Sequence, residues 1–293
     1  MNKSRLKIAK PDIVRHFDDL ERRVLKMTDI ASILTQQREF WRLAKSTTTN
    51  AFITFLLEYT SLSKHYFPLP HRAETRYVWG NVPLLEIVLT LKEQAYFTHY
   101  TAMQVHGLTE QLPKTIYLNH EQPSRPQNPS LEQGRISAAF KNHPRVSNNA
   151  IEHGDTRICL VNGMNTDQLG VITMDAAYGA DVKANIRVTN IERTLIDIAV
   201  RPIYSGGVFE VQKAYSLAKE RVSVNRLAAM LQKLRYVYPY HQAVGFYLER
   251  AGIRESALEL LQQFPMEFDF FLAHRMGPTD YVKKWRLFIP KGF

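Results

Sequence analysis

Residues with the chemistry of a catalytic site cluster at one place in the chain. Glu192, Arg193 and Asp197 lie close together, and Glu192 follows Thr189 by three positions. The Thr-x-x-Glu spacing predicts a capping box, in which the Thr189 hydroxyl accepts the backbone N–H of Glu192 and the carboxylate accepts the N–H of Thr189. Arg193 and Asp197 are four residues apart, which is about one helical turn. We interpret them as an exposed ion pair that stabilises the helix by ~0.2–0.5 kcal/mol. Catalysis by this trio is the alternative.

Two pairs of residues could in principle bind a metal ion. His99 and His106 are seven residues apart, hence on one helix face, but no third ligand lies nearby at a zinc-like spacing and Cys159 is the only cysteine. Glu267 and Asp269 alternate with aromatic residues and would face one side of a strand. A metal-dependent nuclease could use this pair, although no lysine or third acid accompanies it at the expected position. Metal binding and nuclease activity therefore remain alternatives.

The charge distribution favours a polyanionic partner for the N-terminal part of the chain. Residues 1–80 contain 14 basic against 8 acidic residues, residues 81–200 contain 10 against 12, and residues 201–293 contain 14 against 8, within a net charge of +10. A basic N-terminal module is typical of nucleic-acid binding. The amide of Asn50 suits adenine, and the cations suit phosphates. The candidate DNA-contacting residues are Arg42, Lys45, Thr47, Thr48, Thr49, Asn50, Lys64, His65, Arg72 and Arg76.

The elements that would position these residues follow from hydrophobic periodicity. We expect a helix over about 14–26, a second beginning at Thr28-Asp29, a third over 51–62, and two short strands around a turn before residue 80. This order is typical of a winged helix-turn-helix, whose third helix enters the major groove and whose wing contacts phosphate. The third helix is apolar except in its first turn, so base reading would fall to that turn.

The remainder of the chain predicts a sheet followed by helices. Thr98 and Gly107 would bound a short helix, an apolar helix at 84–91 would lie on a strand at 115–118, and 121–130 reads as a Pro/Ser/Asn loop. Further strands are expected at RISAAF (135–140), TRICLVNG (156–163), GVITM (170–174) and ANIRV (184–188). Because no long helices separate these strands, we expect a small mixed or antiparallel sheet.

The C-terminal third predicts a helical bundle with helices at 190–200, 207–220, 223–235, 239–251 and 255–263. Pro202 would end the first of these, and Gly206-Gly207 would redirect the chain. Tyr236, Tyr240 and Phe246 are expected in the core rather than as a stacking platform for bases. Two closing strands would flank a Met-Gly-Pro turn at 276–278.

The predicted fold class is therefore α+β: an N-terminal winged helix-turn-helix over residues 1–80, then a mixed α/β domain over 81–293 with a small sheet and a C-terminal helical bundle. Within the second domain, the sheet part covers about 81–188, the helical part about 189–265 and the closing strands about 266–293.

Composition and motifs exclude several classes of protein. A hydrophobic fraction of 45% with 11% aromatic residues indicates a globular protein. A single cysteine excludes a disulfide framework and, with a first segment that lacks a signal-peptide core and apolar runs too short to span a bilayer, predicts a cytoplasmic protein without membrane contact. The chain has no phosphate loop, no G-x-S-x-G elbow and no paired Cys/His set. We therefore expect neither enzymatic activity nor a cofactor.

Four segments resemble the AbiEi family, the antitoxins and regulators of bacterial abortive-infection toxin–antitoxin pairs. The most specific are THYTAMQVHGLTEQLPKTIYLN at 98–119 and VTNIERTLIDIAVRPIYSGG at 188–207. LVNGMNTDQLGVITM at 160–174 and DFFLAHRMGPTDYVKKWRLFIPKGF at 269–293 are also similar to the family. The N-terminal region is similar in layout rather than in residues.

The resemblance implies a DNA-binding winged helix-turn-helix joined to an AbiEi-like antitoxin domain over 81–293. It further implies a repressor of its own operon that binds its promoter DNA and counteracts a neighbouring nucleotidyltransferase-like toxin. Because DNA half-sites are paired, we expect a homodimer on DNA. The family supplies no catalytic residues. A stand-alone repressor without a toxin and a protein-interaction module with an acidic partner are the alternatives.

Overall fold

The protein is described by a computed structural model that covers residues 5–124, 131–177 and 183–293. Its contacts divide the chain into two units, residues 1–91 and residues 92–293. Helices and separate sheets occur in both units, so the fold class is α+β, as predicted. Residues 125–130, most of the predicted Pro/Ser/Asn loop, lie outside the described residues.

The first unit contains helices and a three-stranded antiparallel sheet. Its elements are α1 (Arg5–Asp18), β1 (Val24–Leu25), α2 (Met27–Gln37), α3 (Thr49–Tyr59), β2 (Leu62–Phe67), β3 (Glu74–Trp79) and α4 (Leu84–Leu89). The strands are ordered β1-β3-β2. Side chains from α1, α2, α3 and β3 form its core, which includes Phe17, Leu34, Phe52, Leu56 and Trp79.

The beginning of the first unit differs from the sequence prediction. The helix predicted over about 14–26 starts earlier and ends at Asp18. Val24 and Leu25 instead form a strand, where they pair with Val78 and Tyr77. Both strand residues are buried. Pairing with a distant strand therefore decides their conformation, which a local helical period cannot show.

The helix α4 at 84–89 is grouped with the first unit by its contacts. The sequence prediction that it lies on the strand at 115–118 stays a prediction. Thr90, the residue that follows it, accepts hydrogen bonds from Arg76 of β3. The C-terminal end of α4 is therefore connected to β3 through Thr90.

The second unit begins with a six-stranded mixed sheet. Its strands are β4 (Tyr96–Phe97), β5 (Thr115–Glu121), β6 (Ala150–His153), β7 (Thr156–Gly163), β8 (Val171–Ala177) and β9 (Lys183–Thr189), in the order β6-β7-β5-β4-β9-β8. The pairs β5–β7 and β4–β9 are parallel, and the other neighbours are antiparallel. Of the two alternatives that the sequence predicted, a small mixed or an antiparallel sheet, the structure has the mixed one.

Two helices are inserted in this part of the chain, α5 (His99–Val105) and α6 (Gln133–Lys141). Gly107 follows α5, as predicted, with a φ of +64°, the left-handed conformation in which glycine commonly ends a helix. RISAAF at 135–140 was predicted as a strand, and that prediction is wrong because the segment lies in α6. Ile136 and Phe140, four residues apart, are both buried on one face of this helix.

The five predicted C-terminal helices are confirmed. They are α7 (Ile191–Val200), α8 (Val208–Ala218), α9 (Val224–Leu234), α10 (Tyr240–Arg250) and α11 (Glu255–Gln262). Pro202 opens a short 3₁₀ turn after α7. Gly206 and Gly207 follow with φ values of +79° and +90°, which redirect the chain into α8.

The chain closes with a three-stranded sheet of β10 (Phe270–Phe271), β11 (Thr279–Val282) and β12 (Leu287–Pro290). β12 pairs in parallel with β10 and antiparallel with β11. The strands β10 and β11 flank the Met-Gly-Pro segment at 276–278, as predicted, but β12 lies between them in the sheet. The β11–β12 hairpin turns through the 3₁₀ helix Lys283–Trp285.

Candidate functional site

The first turn of α3 presents the polar residues that were predicted to read DNA. Asn50 is exposed and Thr49 is half-buried. Thr48 is the N-cap of the helix, and its hydroxyl accepts the backbone N–H of Ala51 at 3.2 Å. Thr48 therefore fixes the start of α3. Asn50 is the predicted base-reading side chain that lies free at the surface of this turn.

The segment 38–48 leads into α3 and contains a residue that the sequence analysis missed. Arg38 donates hydrogen bonds to the carbonyls of Ala44 at 2.7 Å and Thr47 at 3.0 Å. These bonds hold the turn that precedes the N-cap. Because they end on backbone carbonyls, no side-chain pattern in the sequence reveals them. Arg42, at a φ of +50°, and Lys45 are both exposed on the same segment.

The β2–β3 ribbon carries the remaining predicted contacts. Lys64 is exposed on β2. The neighbouring His65 is half-buried, and its Nε2 lies 3.2 Å from the Ser63 hydroxyl. Arg72 is 82% exposed in the turn between the strands and lies 3.6 Å from Glu74. An exposed pair of this kind is worth about 0–1 kcal/mol, so Arg72 can exchange it for a phosphate.

Arg76, the last predicted DNA contact, is corrected by the structure. Its side chain is 2% exposed and donates to the Glu74 carboxylate at 2.9 Å, and to the hydroxyl and carbonyl of Thr90 at 3.0 and 2.7 Å. Residues 76–79 are all buried, so β3 is covered on both faces. A strand buried on both faces has no solvent side, and Arg76 cannot reach a phosphate.

In the second unit, the predicted capping box is wrong by one residue. Asn190 is the N-cap of α7, and its side-chain oxygen accepts the N–H of Arg193 at 2.9 Å. Glu192 is buried, and its hydrogen bonds go to a different helix. Its carboxylate accepts the N–H of Ser223, the N-cap of α9, at 2.9 Å and a guanidinium N–H of Arg226 at 2.8 Å. Glu192 therefore joins α7 to α9.

The Arg193–Asp197 pair exists but is buried, whereas the sequence predicted an exposed pair. The two side chains are 6% and 9% exposed and lie 2.8 Å apart. Asp197 also accepts the Thr98 hydroxyl at 2.9 Å, and Arg193 donates to the Leu169 carbonyl at 2.7 Å. Burial disfavours the charged guanidinium, but the adjacent Asp197 carboxylate outweighs this, and the pKa of Arg193 is raised. All residues from 192 to 199 are buried, so α7 has no solvent face.

The bond from Thr98 to Asp197 also alters the predicted cap of α5. Thr98 is the N-cap residue of α5 by position, but its hydroxyl makes no capping bond within that helix. It connects the start of α5 to α7 instead. The buried pair on α7 is therefore held from two sides, by the α5 start and by the segment that contains Leu169.

The structure does not bring the predicted metal ligands together. His106 Nε2 lies 2.6 Å from the Thr189 carbonyl, and His99 lies at the opposite end of α5. Glu267 is exposed, and Asp269 accepts hydrogen bonds from the Tyr281 hydroxyl at 2.7 Å and Arg286 Nε at 3.0 Å. Among residues 5–124, 131–177 and 183–293, no group of three or more His, Cys, Asp or Glu side chains is placed to hold a metal ion.

Comparison with known proteins shows similarity at the level of fold. No family model matches this sequence, and no curated protein matches it. Among solved structures, the RV2827C protein from Mycobacterium tuberculosis is similar, with a TM-score of 0.59 and 16% sequence identity over 96% of this chain and 91% of that chain. The two proteins share a fold over nearly their whole lengths. In the part of this chain that the structure describes, no helix has the length and apolar character needed to cross a membrane.

Proposed function

We propose that this protein is a DNA-binding transcriptional regulator and antitoxin whose first unit binds operator DNA at its own promoter. The observation that carries this proposal is the exposed polar first turn of α3, led by Asn50, next to a ribbon that exposes Lys64 and Arg72. A helix N-terminus that reads bases beside a cationic hairpin is the arrangement that winged helix-turn-helix proteins use.

The topology of the first unit supports the same proposal. The order α1-β1-α2-α3-β2-β3, with strands in the order β1-β3-β2, is typical of a winged helix. The α2–α3 connection at 38–48 is longer than the three- or four-residue turn of the simplest helix-turn-helix. Arg38 offsets this length because it fixes the turn before α3.

The candidate contacts have different tasks in this proposal. Asn50 is assigned to base edges, where an amide can bond adenine bidentately. Arg42, Lys45, Lys64 and Arg72 are assigned to phosphates, which fix position and supply most of the affinity. His65, Thr47 and Thr49 flank these side chains.

Fluorescence anisotropy with the duplex upstream of the gene, at several salt concentrations, tests the proposal. We expect the full chain to prefer this duplex over a scrambled one by at least ~10³-fold. The K64A and R72A variants should weaken binding to both duplexes and reduce the log–log salt slope by about 0.9 for each phosphate that is no longer neutralised. N50A should instead lower the preference for the operator, by about 1–3 kcal/mol.

Arg254 provides the control, because it is an exposed arginine of the second unit. The R254A variant should bind DNA like the parent. R76A should change DNA binding only through loss of folding, which circular dichroism would report. Equal binding of both duplexes by the parent, or parental behaviour of N50A, K64A and R72A together, would overturn the assigned DNA surface.

The antitoxin half of the proposal rests on the resemblance of residues 98–119 and 188–207 to the AbiEi family. Co-expression with an adjacent nucleotidyltransferase-like gene should relieve the growth defect that this gene causes alone. A chain that represses its promoter but gives no such relief would be a stand-alone repressor.

A further inference from the structure

A cavity of about 490 Å³ in the second unit contains the buried pair on α7. Its walls come from the start of α5, the ends of β5 and β7, the segment at 145–147, one side of α7 and the segment that enters α10. Pockets that bind small ligands usually measure ~300–1,000 Å³. The cavity therefore has the size of a small-molecule site, and the proposed DNA surface does not use it.

The lining carries more positive than negative charge. Arg145, Arg193 and Arg201 contribute to it, against the single carboxylate of Asp197. Asp197 is already occupied by Arg193 and Thr98. Arg145 and Arg201 form no ion pair among the described residues, and a hydrogen bond of 3.4 Å from Arg201 to the Arg145 carbonyl holds the two segments together. Two unpaired arginines at one cavity favour an anion.

His99 is the second observation that points to a ligand. It lines the cavity, is 6% exposed, and has a φ of +52°, which is uncommon for a residue other than glycine. Its Nδ1 is buried without a hydrogen-bond partner among the described residues. Buried polar atoms are nearly always paired, and backbone strain concentrates at binding sites. The unpaired buried Nδ1 and the uncommon backbone conformation therefore mark His99 as a candidate binding residue of the cavity wall.

Aromatic rings form much of the remaining wall. Tyr204 lies edge-on to His99 with ring centroids 5.2 Å apart, and Tyr236 is edge-on to Tyr240 at 5.3 Å. Tyr238 completes this group. Edges and faces of tyrosine rings pack well against a planar aromatic ligand.

We propose that this cavity binds a nucleoside monophosphate, with the phosphate at Arg145 and Arg201 and the base among the tyrosines and His99. The two arginines would bind the phosphate group, and the tyrosine rings would pack against the base. Inorganic phosphate would leave the tyrosine part of the cavity empty. The proposal is independent of the proposed DNA binding.

Isothermal titration calorimetry on the full chain with AMP, GMP, CMP and UMP tests the proposal. At least one nucleotide should bind, and the corresponding nucleoside and inorganic phosphate should each bind at least tenfold more weakly. R145A and R201A should each weaken nucleotide binding by about tenfold or more, since a hydrogen bond to a charged group is removed. H99N should also weaken binding while the protein still folds, because asparagine tolerates the same backbone conformation.

R254A is the matched control and should bind the nucleotide like the parent. Arg145 is exposed, so R145A is expected to fold and keeps the test informative even if R201A or H99N does not fold. Absence of binding by all four nucleotides, or parental affinity of folded R145A, would overturn the proposal. Equal affinity for the nucleoside would exclude the phosphate site, and equal affinity for inorganic phosphate would exclude the base site.

Discussion

Two stacked tyrosines in the core of the second unit differ in one hydrogen bond. The rings of Tyr215 and Tyr247 lie 5.0 Å apart and are nearly parallel. The Tyr215 hydroxyl donates to the Leu195 carbonyl at 2.9 Å. The Tyr247 hydroxyl is buried and has no partner among the described residues. Burial raises the pKa of both groups, so both hydroxyls remain protonated at neutral pH.

Replacing each tyrosine by phenylalanine should therefore change the stability of the protein differently. Y247F should leave stability unchanged or raise it by about 1 kcal/mol, because it removes an unpaired buried hydroxyl. Y215F should lower stability by about 1 kcal/mol, because it removes a satisfied hydrogen bond. Urea unfolding of the two variants measures the difference. If Y247F proves the more destabilising, its hydroxyl has a partner.

At the scale of elements, α10 is fitted to the C-terminal segment at Gly245. A Cβ atom at this position would lie well under 3.0 Å from the ring of Trp285. Trp285 also donates its indole N–H to Glu249 of α10 at 2.6 Å. Gln242 of α10, one turn before Gly245, donates to the Trp285 carbonyl at 2.8 Å. Three consecutive turns of α10 thus hold the 3₁₀ helix Lys283–Trp285.

G245A should destabilise the protein by about 1–3 kcal/mol, because the added methyl group overpacks the Trp285 site. G134A is the control: Gly134 also lies in a helix, α6, but a Cβ there meets nothing within 4 Å. That substitution should be neutral or stabilising by up to about 1 kcal/mol, since alanine favours the helix. Thermal unfolding compares the two, and equal melting temperatures would contradict the close packing at Gly245.

At the scale of the whole molecule, buried histidines link stability to pH. Burial lowers the pKa of His241, whose ring stacks on Phe264, from 6.5 to about 4. Burial also lowers the pKa of His99 to about 4. Below pH 6.5 the unfolded chain therefore binds protons that the folded chain does not yet bind. These groups favour the folded state above pH 6.5, and that contribution is lost as the pH falls towards 4.

H241F should reduce the loss of stability between pH 6.5 and pH 4 by roughly 3 kcal/mol, at about 1.4 kcal/mol per pH unit. The aromatic substitute keeps the contact with Phe264 but cannot be protonated. Urea unfolding at a series of pH values measures this slope. G134A, which changes no titratable group, should retain the parental slope. A parental slope in H241F would show that His241 is protonated equally in both states.

The sequence determined the helical third of the protein and most of the strands of the six-stranded sheet before it. Pro202, Gly206-Gly207 and an apolar residue every three to four positions specify α7–α11 locally, so their bounds are predicted to within about two residues. The predicted DNA contacts that are exposed are polar or charged side chains in a turn or on an edge strand. The sequence shows residues of this kind directly. The winged-helix interpretation and the regulator function stay predictions.

Tertiary structure alone decided which groups the buried side chains and the strands contact. Arg76 is internal because Thr90 and Glu74 surround it, and Arg193–Asp197 is buried because Thr98 and Leu169 reach it from distant positions. The segment at 135–140 is a helix because Ile136 and Phe140 pack on one core face. The strand β12 pairs with β11 across the 3₁₀ helix Lys283–Trp285 and also pairs in parallel with the more distant β10. A charge pattern in a few consecutive residues cannot distinguish a solvated face from a buried one. That distinction depends on desolvation and on hydrogen bonds to groups far away in the chain, which exist only once the fold has formed.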